Sequence, residues 1–91
     1  MDRALWYLFV GTRGGGTRAD IVKTILNRPR NANQIAEELD INYNTVRYHL
    51  DQLEEHSIVE QEQEGYGALF FVSEEFKRYE EEFRQIIEDE L

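Results

Sequence analysis

The residues best suited to chemistry in this sequence lie between positions 42 and 52. Amides, hydroxyls and one guanidinium alternate there with Val46, Leu50 and Leu53, which recur at helical spacing. At about 100° per residue these three fall within a narrow arc of a helix, so the polar groups occupy the opposite arc. Such groups form hydrogen bonds with base edges and with phosphates. The stretch predicts a helix whose outer face contacts DNA, and an ordinary polar outer face is the alternative.

Further residues are expected to contact double-stranded DNA beside this helix. Arginines before it could bind phosphates on either side of the groove, and scattered surface arginines are the alternative for Arg13, Arg18, Arg28 and Arg30. Glu54 and Glu55 in the last turn should point away from DNA because they would repel phosphates. The predicted DNA-binding set comprises Arg30, Asn33, Asn42, Tyr43, Asn44, Thr45, Arg47, Tyr48, Gln52 and Tyr66.

Two helices joined by three residues must position these groups. Asn31 or Asn33 is suited to cap a helix that runs through Leu39, and Asn42 is suited to cap the next one, which runs to about His56. Residues 40–42 make the tight turn between them. This arrangement predicts a helix-turn-helix.

A hairpin is expected after the second of these helices. Residues 58–63 alternate weakly between apolar and polar, residues 64–67 are turn-like, and residues 68–72 are β-prone. Glu60, Glu62 and Glu64 make the first strand acidic, so only Tyr66 at the tip is a plausible DNA contact.

Apolar segments at both ends of the chain are predicted to pair two copies. Residues 4–10 favour a short helix over a strand, glycines 14–16 indicate a flexible hinge, and Thr17 is suited to cap a helix that stops at Pro29. Ser73 is suited to cap one last helix with an apolar stripe that needs a partner surface. The predicted dimer interface comprises Leu5, Trp6, Phe9, Phe76, Tyr79, Phe83, Ile86 and Ile87.

These elements predict a mainly α fold with a small β-hairpin, a winged helix-turn-helix with a C-terminal dimerisation helix. Its segments are residues 1–16, 17–72 and 73–91. Residues 33–39 and 42–59 resemble the ArsR-like winged helix transcription regulators, particularly short archaeal members in which a segment like Gly11–Gly15 precedes the first core helix. The resemblance implies a homodimer that places the helix over 42–56 in the major groove, with the wing beside it and the terminal helices pairing the subunits.

Other chemistry has little support. The chain has no cysteine, and His49 and His56 lie roughly 10 Å apart along a helix, so neither a metal site nor a cofactor is expected. The carboxylates of residues 74–90 lie on one solvated helix instead of converging on a pocket, which argues against an enzyme. Residues 4–10 are too short to cross a membrane, and a cytoplasmic location is expected.

The net charge of −9 opposes DNA binding at first sight. Residues 1–30 carry six basic and two acidic residues, whereas residues 31–91 carry four basic and 17 acidic ones. An acidic surface poor in lysine is typical of proteins from a salt-rich cytoplasm, and an ordinary acidic dimer is the alternative. A protein-interaction module that does not bind DNA is the rival function. The operator, the direction of regulation and the signal are not encoded in any motif.

Overall fold

The structure, a computed structural model, describes residues 2–63 and 67–90. Its helices are α1 (Asp2–Phe9), α2 (Gly15–Asn27), α3 (Ala32–Leu39), α4 (Tyr43–Glu55), α5 (Glu74–Lys77) and α6 (Glu80–Glu90), and its strands are β1 (Arg30–Asn31), β2 (Val59–Gln61) and β3 (Leu69–Val72). The helix-turn-helix is α3 and α4, and the hairpin of β2 and β3 is the wing. Within the described residues no helix is both long enough and apolar enough to cross a membrane.

Side-chain caps fix where three helices begin, because each satisfies an amide that the helix leaves unpaired. The Asn31 side chain accepts from the Gln34 amide at 2.8 Å, and the Gln34 side chain accepts from the Asn31 amide at 2.9 Å. Asn42 accepts from the Asn44 amide at 2.7 Å, and Ser73 accepts from the Phe76 amide at 2.9 Å. The predicted caps at Asn42 and Ser73 are confirmed, and Asn31 is the cap of the two candidates considered.

The prediction that Thr17 caps α2 is wrong, because the helix begins two residues earlier. Gly14 occupies the capping position with φ of 92°, and it has no side chain to accept a hydrogen bond. A Cβ on Gly15 would lie 2.4 Å from the carbonyl oxygen of Phe9. The glycines therefore form a tight, packed turn between α1 and α2 where the sequence indicated a flexible hinge.

The sheet has three antiparallel strands in the order β1-β3-β2. The hairpin was predicted, but β1 was not, because two residues carry no periodicity. Arg30 pairs with Phe70 and Asn31 with Leu69 across β1 and β3. The strand thus joins the start of α3 to the wing.

The terminal helices close the same core as the helix-turn-helix. The Phe83 ring lies edge-on to Phe9 at 4.8 Å between centroids and edge-on to Phe76 at 5.4 Å. Phe76 and Phe83 are fully buried and Ile87 is 8% exposed in a single chain. The expectation that these three side chains need a partner surface outside the chain is wrong, because they belong to the same core cluster as the buried residues of α1. The last helix is also divided, since the amides of Arg78 and Tyr79 bond to carbonyls three residues earlier.

Phe83→Ala should lower the free energy of unfolding by about 3–5 kcal/mol, because it opens a cavity between α1 and α6. Thermal or urea unfolding of purified protein measures this change. Arg84→Ala, at the exposed neighbouring position, is the control and should cost less than about 0.5 kcal/mol. Equal stability of the two variants would contradict the packing described for Phe83.

Candidate nucleic-acid interface

The two faces of α4 differ in burial as its sequence predicts. Val46, Leu50 and Leu53 are fully buried in the core. Asn44, Thr45 and Asp51 are exposed, and Tyr48 is 59% exposed. Apolar burial therefore fixes the rotation of the helix and turns a continuous polar stripe outward, with Gln52 half-buried beside it.

Arg47 lies where α4 meets the wing. Its Cζ atom is 5.5 Å from the centroid of the Phe70 ring, and its Nη2 atom is 3.9 Å from Oδ1 of Asp51. The Arg47 side chain is 32% exposed, whereas that of Asp51 is 66% exposed. The guanidinium thus has an aromatic face on one side and a carboxylate on another.

A cleft of about 30 Å³ brings several predicted DNA-binding residues together. Asn33 at the start of α3 lines it with Tyr43 and Arg47 of α4, and Gly67 and Ala68 of the wing complete it. Its lining residues lie far apart in sequence. The fold therefore brings residues of the helix-turn-helix together with the wing residues that directly precede β3.

Arg30 has a structural environment that the sequence did not reveal. It is 7% exposed, its Nε atom lies 3.2 Å from Glu38, and its guanidinium donates to the carbonyl oxygen of Thr24. These contacts join the ends of α2 and α3. The Arg30 guanidinium is therefore paired with Glu38 and directed away from solvent.

Arg18 is also buried, and it reaches the back of α4. Its Nε donates to the Leu8 carbonyl at 2.7 Å, its Nη1 lies 3.1 Å from Nδ1 of His49, and it donates to the Thr12 hydroxyl. The expectation that Arg18 contacts phosphate is wrong, because its donors are used in the interior. No local pattern predicts this network, because its partners lie up to 31 positions away from Arg18.

The pKa of His49 is lowered from its ordinary value of 6.5, first by burial and then by the charge of Arg18. Burial disfavours the charged imidazolium, and a nearby guanidinium disfavours it further. The network between the first turn and α4 therefore holds His49 in its neutral form.

The wing is tied to the end of α4 by an acidic side chain. Both carboxylate oxygens of Glu54 accept from Nε2 of Gln61, at 3.1 and 3.0 Å. Glu60 and Glu62 are exposed. Tyr66, the predicted wing contact, lies outside the described residues.

Most of the predicted dimer interface is covered within one chain. Leu5, Phe9, Phe76, Phe83 and Ile87 are buried there, whereas Tyr79 and Ile86 are half-buried and Trp6 is 51% exposed. Trp6 and Ile86 line a groove of about 540 Å³ together with Arg3 and Glu82.

The part of the chain that the structure describes contains no candidate metal site. No three histidine or acidic side chains there lie close enough to hold one ion. His56 is near the carbonyl of Gln52, and His49 faces Arg18.

This architecture, with a helix-turn-helix followed by a two-stranded wing and flanked by terminal helices, defines a winged helix protein. Residues 16–62, about half of the chain, match the family model described as a helix-turn-helix domain. The chain belongs to this family of helix-turn-helix domains.

Similar proteins agree with this assignment. The chain is 32% identical over 63 residues to an uncharacterized HTH-type transcriptional regulator of Methanocaldococcus jannaschii, a match that covers 69% of this chain and 16% of that protein. The homodimeric winged helix-turn-helix DNA-binding domain of a possible ArsR-family regulator from Mycobacterium bovis has a TM-score of 0.74 at 20% identity, and the match covers 98% of this chain and 79% of that one. The disulfide-formed structure of AbfR has a TM-score of 0.68 at 19% identity, over 82% of this chain and 54% of that one. At such identities the structures support the fold alone.

The lowered pKa of His49 predicts that the protein loses stability in acid. Below pH 6.5 the unfolded chain gains a proton at this site before the folded chain does, so the free energy of unfolding falls with decreasing pH, by at most about 1.4 kcal/mol per pH unit. His49→Gln should flatten the melting temperature between pH 5 and 7. His56→Gln serves as the control and should keep the wild-type slope. An unchanged slope in His49→Gln would contradict the assigned role of this site.

Proposed function

We propose that this protein is a sequence-specific DNA-binding transcription regulator that acts as a homodimer, with α4 as the recognition helix in the major groove. The observation that carries the proposal is the outward polar stripe of α4, whose opposite edge is buried in the core. A stripe of amides, hydroxyls and one guanidinium matches the donors and acceptors of base edges in the major groove, which is wide enough to admit a helix.

The first two turns of α4 are the part of the helix that fits DNA. Asn44, Thr45 and Tyr48 are exposed on them, and Arg47 stands beside the wing. Asn33 and Tyr43 line a cleft together with Arg47 and with the wing residues that directly precede β3. The last turn carries Glu54, which is already bonded to Gln61 and does not need to face the phosphates.

Few positive charges support binding, which favours recognition by hydrogen bonds over general attraction to the phosphates. Arg13 is exposed in the turn between α1 and α2, and Arg28 is exposed at the end of α2; we assign both to backbone phosphates. Arg47 is the only Lys or Arg from residue 31 to residue 76. Affinity should therefore depend on base contacts to an unusual degree.

We place the dimer contact at the groove between α1 and α6. Trp6 and Ile86 offer apolar surface there. A two-fold axis repeats one patch on both subunits, so a second copy can set its Trp6 against this apolar surface. The similar mycobacterial domain is described as homodimeric, which supports this arrangement. Two recognition helices about 34 Å apart imply a near-palindromic site.

Arg47→Ala and Tyr48→Ala should each weaken binding to a selected duplex, with about 1–3 kcal/mol lost for Arg47, while the melting temperature stays near that of the wild type. Fluorescence anisotropy across a salt series measures both affinity and salt dependence, after a random-sequence selection has identified the duplex. Arg84→Ala on α6 is the matched control for loss of a surface guanidinium. If Tyr66→Ala in the wing abolishes binding while both α4 variants bind normally, the recognition surface is wrongly assigned. If the wild type binds no duplex at any salt concentration, the chain is a protein-interaction module instead.

Trp6→Ser and Ile86→Glu should convert dimers into monomers, because each removes apolar surface that lines the groove. Trp6→Ser is the cleaner of the two, since Trp6 is 51% exposed whereas Ile86 also packs against the core. Sedimentation velocity at tens of micromolar protein measures the mass. Tyr7→Ser is the matched control, since Tyr7 is 54% exposed on the same helix but does not line the groove. A wild-type protein that is already monomeric at this concentration would overturn the interface.

A further inference from the structure

The positive charge available to DNA near α4 is concentrated in one side chain. Arg18 and Arg30 are buried and bonded inside the fold. Arg47 is the only Lys or Arg between residues 31 and 76, the span that contains α3, α4 and the wing. Whatever compensates the charge of Arg47 therefore controls how strongly this surface attracts phosphates.

Asp51 is the group that compensates it. It lies one helical turn after Arg47, with 3.9 Å between Oδ1 and Nη2. Asp51 also shares the exposed stripe with Tyr48, three residues earlier, so its carboxylate faces the same direction as the predicted base contacts. Phe70 backs the guanidinium from the sheet side and limits where it can move.

We propose that Asp51 is a specificity-determining residue, which lowers affinity for DNA of arbitrary sequence and holds Arg47 in the orientation that reads the correct site. The inference rests on the proposed function, because it requires α4 to face DNA. On arbitrary DNA the only gain is attraction to phosphates, and the Asp51 carboxylate cancels it. On the correct site Arg47 makes directional hydrogen bonds, and the carboxylate helps to fix its planar fork between Phe70 and the groove.

Removing the carboxylate should therefore affect the two kinds of DNA differently. Asp51→Asn and Asp51→Ala should raise affinity for a scrambled duplex about two- to tenfold at low salt, an effect that salt screens. Affinity for the selected duplex should change less, because the gain in attraction is offset by lost orientation of Arg47. The ratio of selected to scrambled affinity should fall two- to tenfold as a consequence.

The experiment measures binding of wild type, Asp51→Asn and Asp51→Ala to the selected duplex and to a scrambled duplex of equal composition, across a salt series. The plot of log affinity against log salt for the scrambled duplex should steepen by about 0.9 in both variants. Glu55→Gln removes an exposed charge one turn further along α4, and Glu80→Gln breaks the corresponding Arg84 pair on α6, 3.1 Å in length. Both controls should change affinity less than the Asp51 variants do.

Distinct results would overturn the inference. If the Asp51 variants gain affinity equally on both duplexes, or if Glu55→Gln gains as much affinity as they do, Asp51 acts only as one of several charges that repel DNA. If Asp51→Asn gains affinity and Asp51→Ala does not, the gain comes from the new amide. If the Asp51 variants lose affinity for the selected duplex and are unchanged on the scrambled one, Asp51 contacts a base directly. In each of these cases the wild type still binds the selected duplex. If the proposed function itself is wrong, the wild type binds neither duplex.

Discussion

The rest of the structure depends on the burial of one apolar edge of α4. Val46, Leu50 and Leu53 are fully buried, and burying side chains of this size contributes roughly 1.5–3 kcal/mol each. A rotation of α4 that exposed them would forfeit this energy and bury amides and hydroxyls without partners. The outward stripe is therefore fixed as firmly as the core is. A surface that must match the spacing of base edges needs that rigidity.

Buried cations give the domain its second set of constraints. Arg18 connects α1, the first turn and α4 through hydrogen bonds, and Arg30 connects α2 to α3 through a carbonyl and Glu38. Each uses the several donors of a guanidinium to satisfy acceptors that the fold would otherwise bury alone. Because both guanidinium groups are buried, neither can contact a phosphate directly. Arg47 is then the Lys or Arg side chain that α3, α4 and the wing can offer to DNA.

The terminal helices act both in the core and at the surface. The Phe9 and Phe83 rings are in contact in the core where α1 packs against α6, so these helices stabilise a single chain without a second copy. Trp6 and Ile86 remain on their outer side. A small winged domain gains a larger core from this arrangement and still presents apolar surface at the edge of the groove.

Local patterns in the sequence determined the main elements and the outward face of α4. These patterns act within a few residues, so they can be recognised without knowledge of the fold. They are the caps at Asn42 and Ser73, the turn at residues 40–42 and the helical spacing of Val46, Leu50 and Leu53. The tertiary structure alone decided which arginines are buried, that β1 joins the wing, and that Phe76 and Phe83 are buried in the core of one chain. Those outcomes depend on groups that are distant in sequence, such as His49 for Arg18 and Phe9 for Phe83. An apolar stripe shows only that a helix needs a partner, because the free energy of burial is the same whether that partner comes from the same chain or from another.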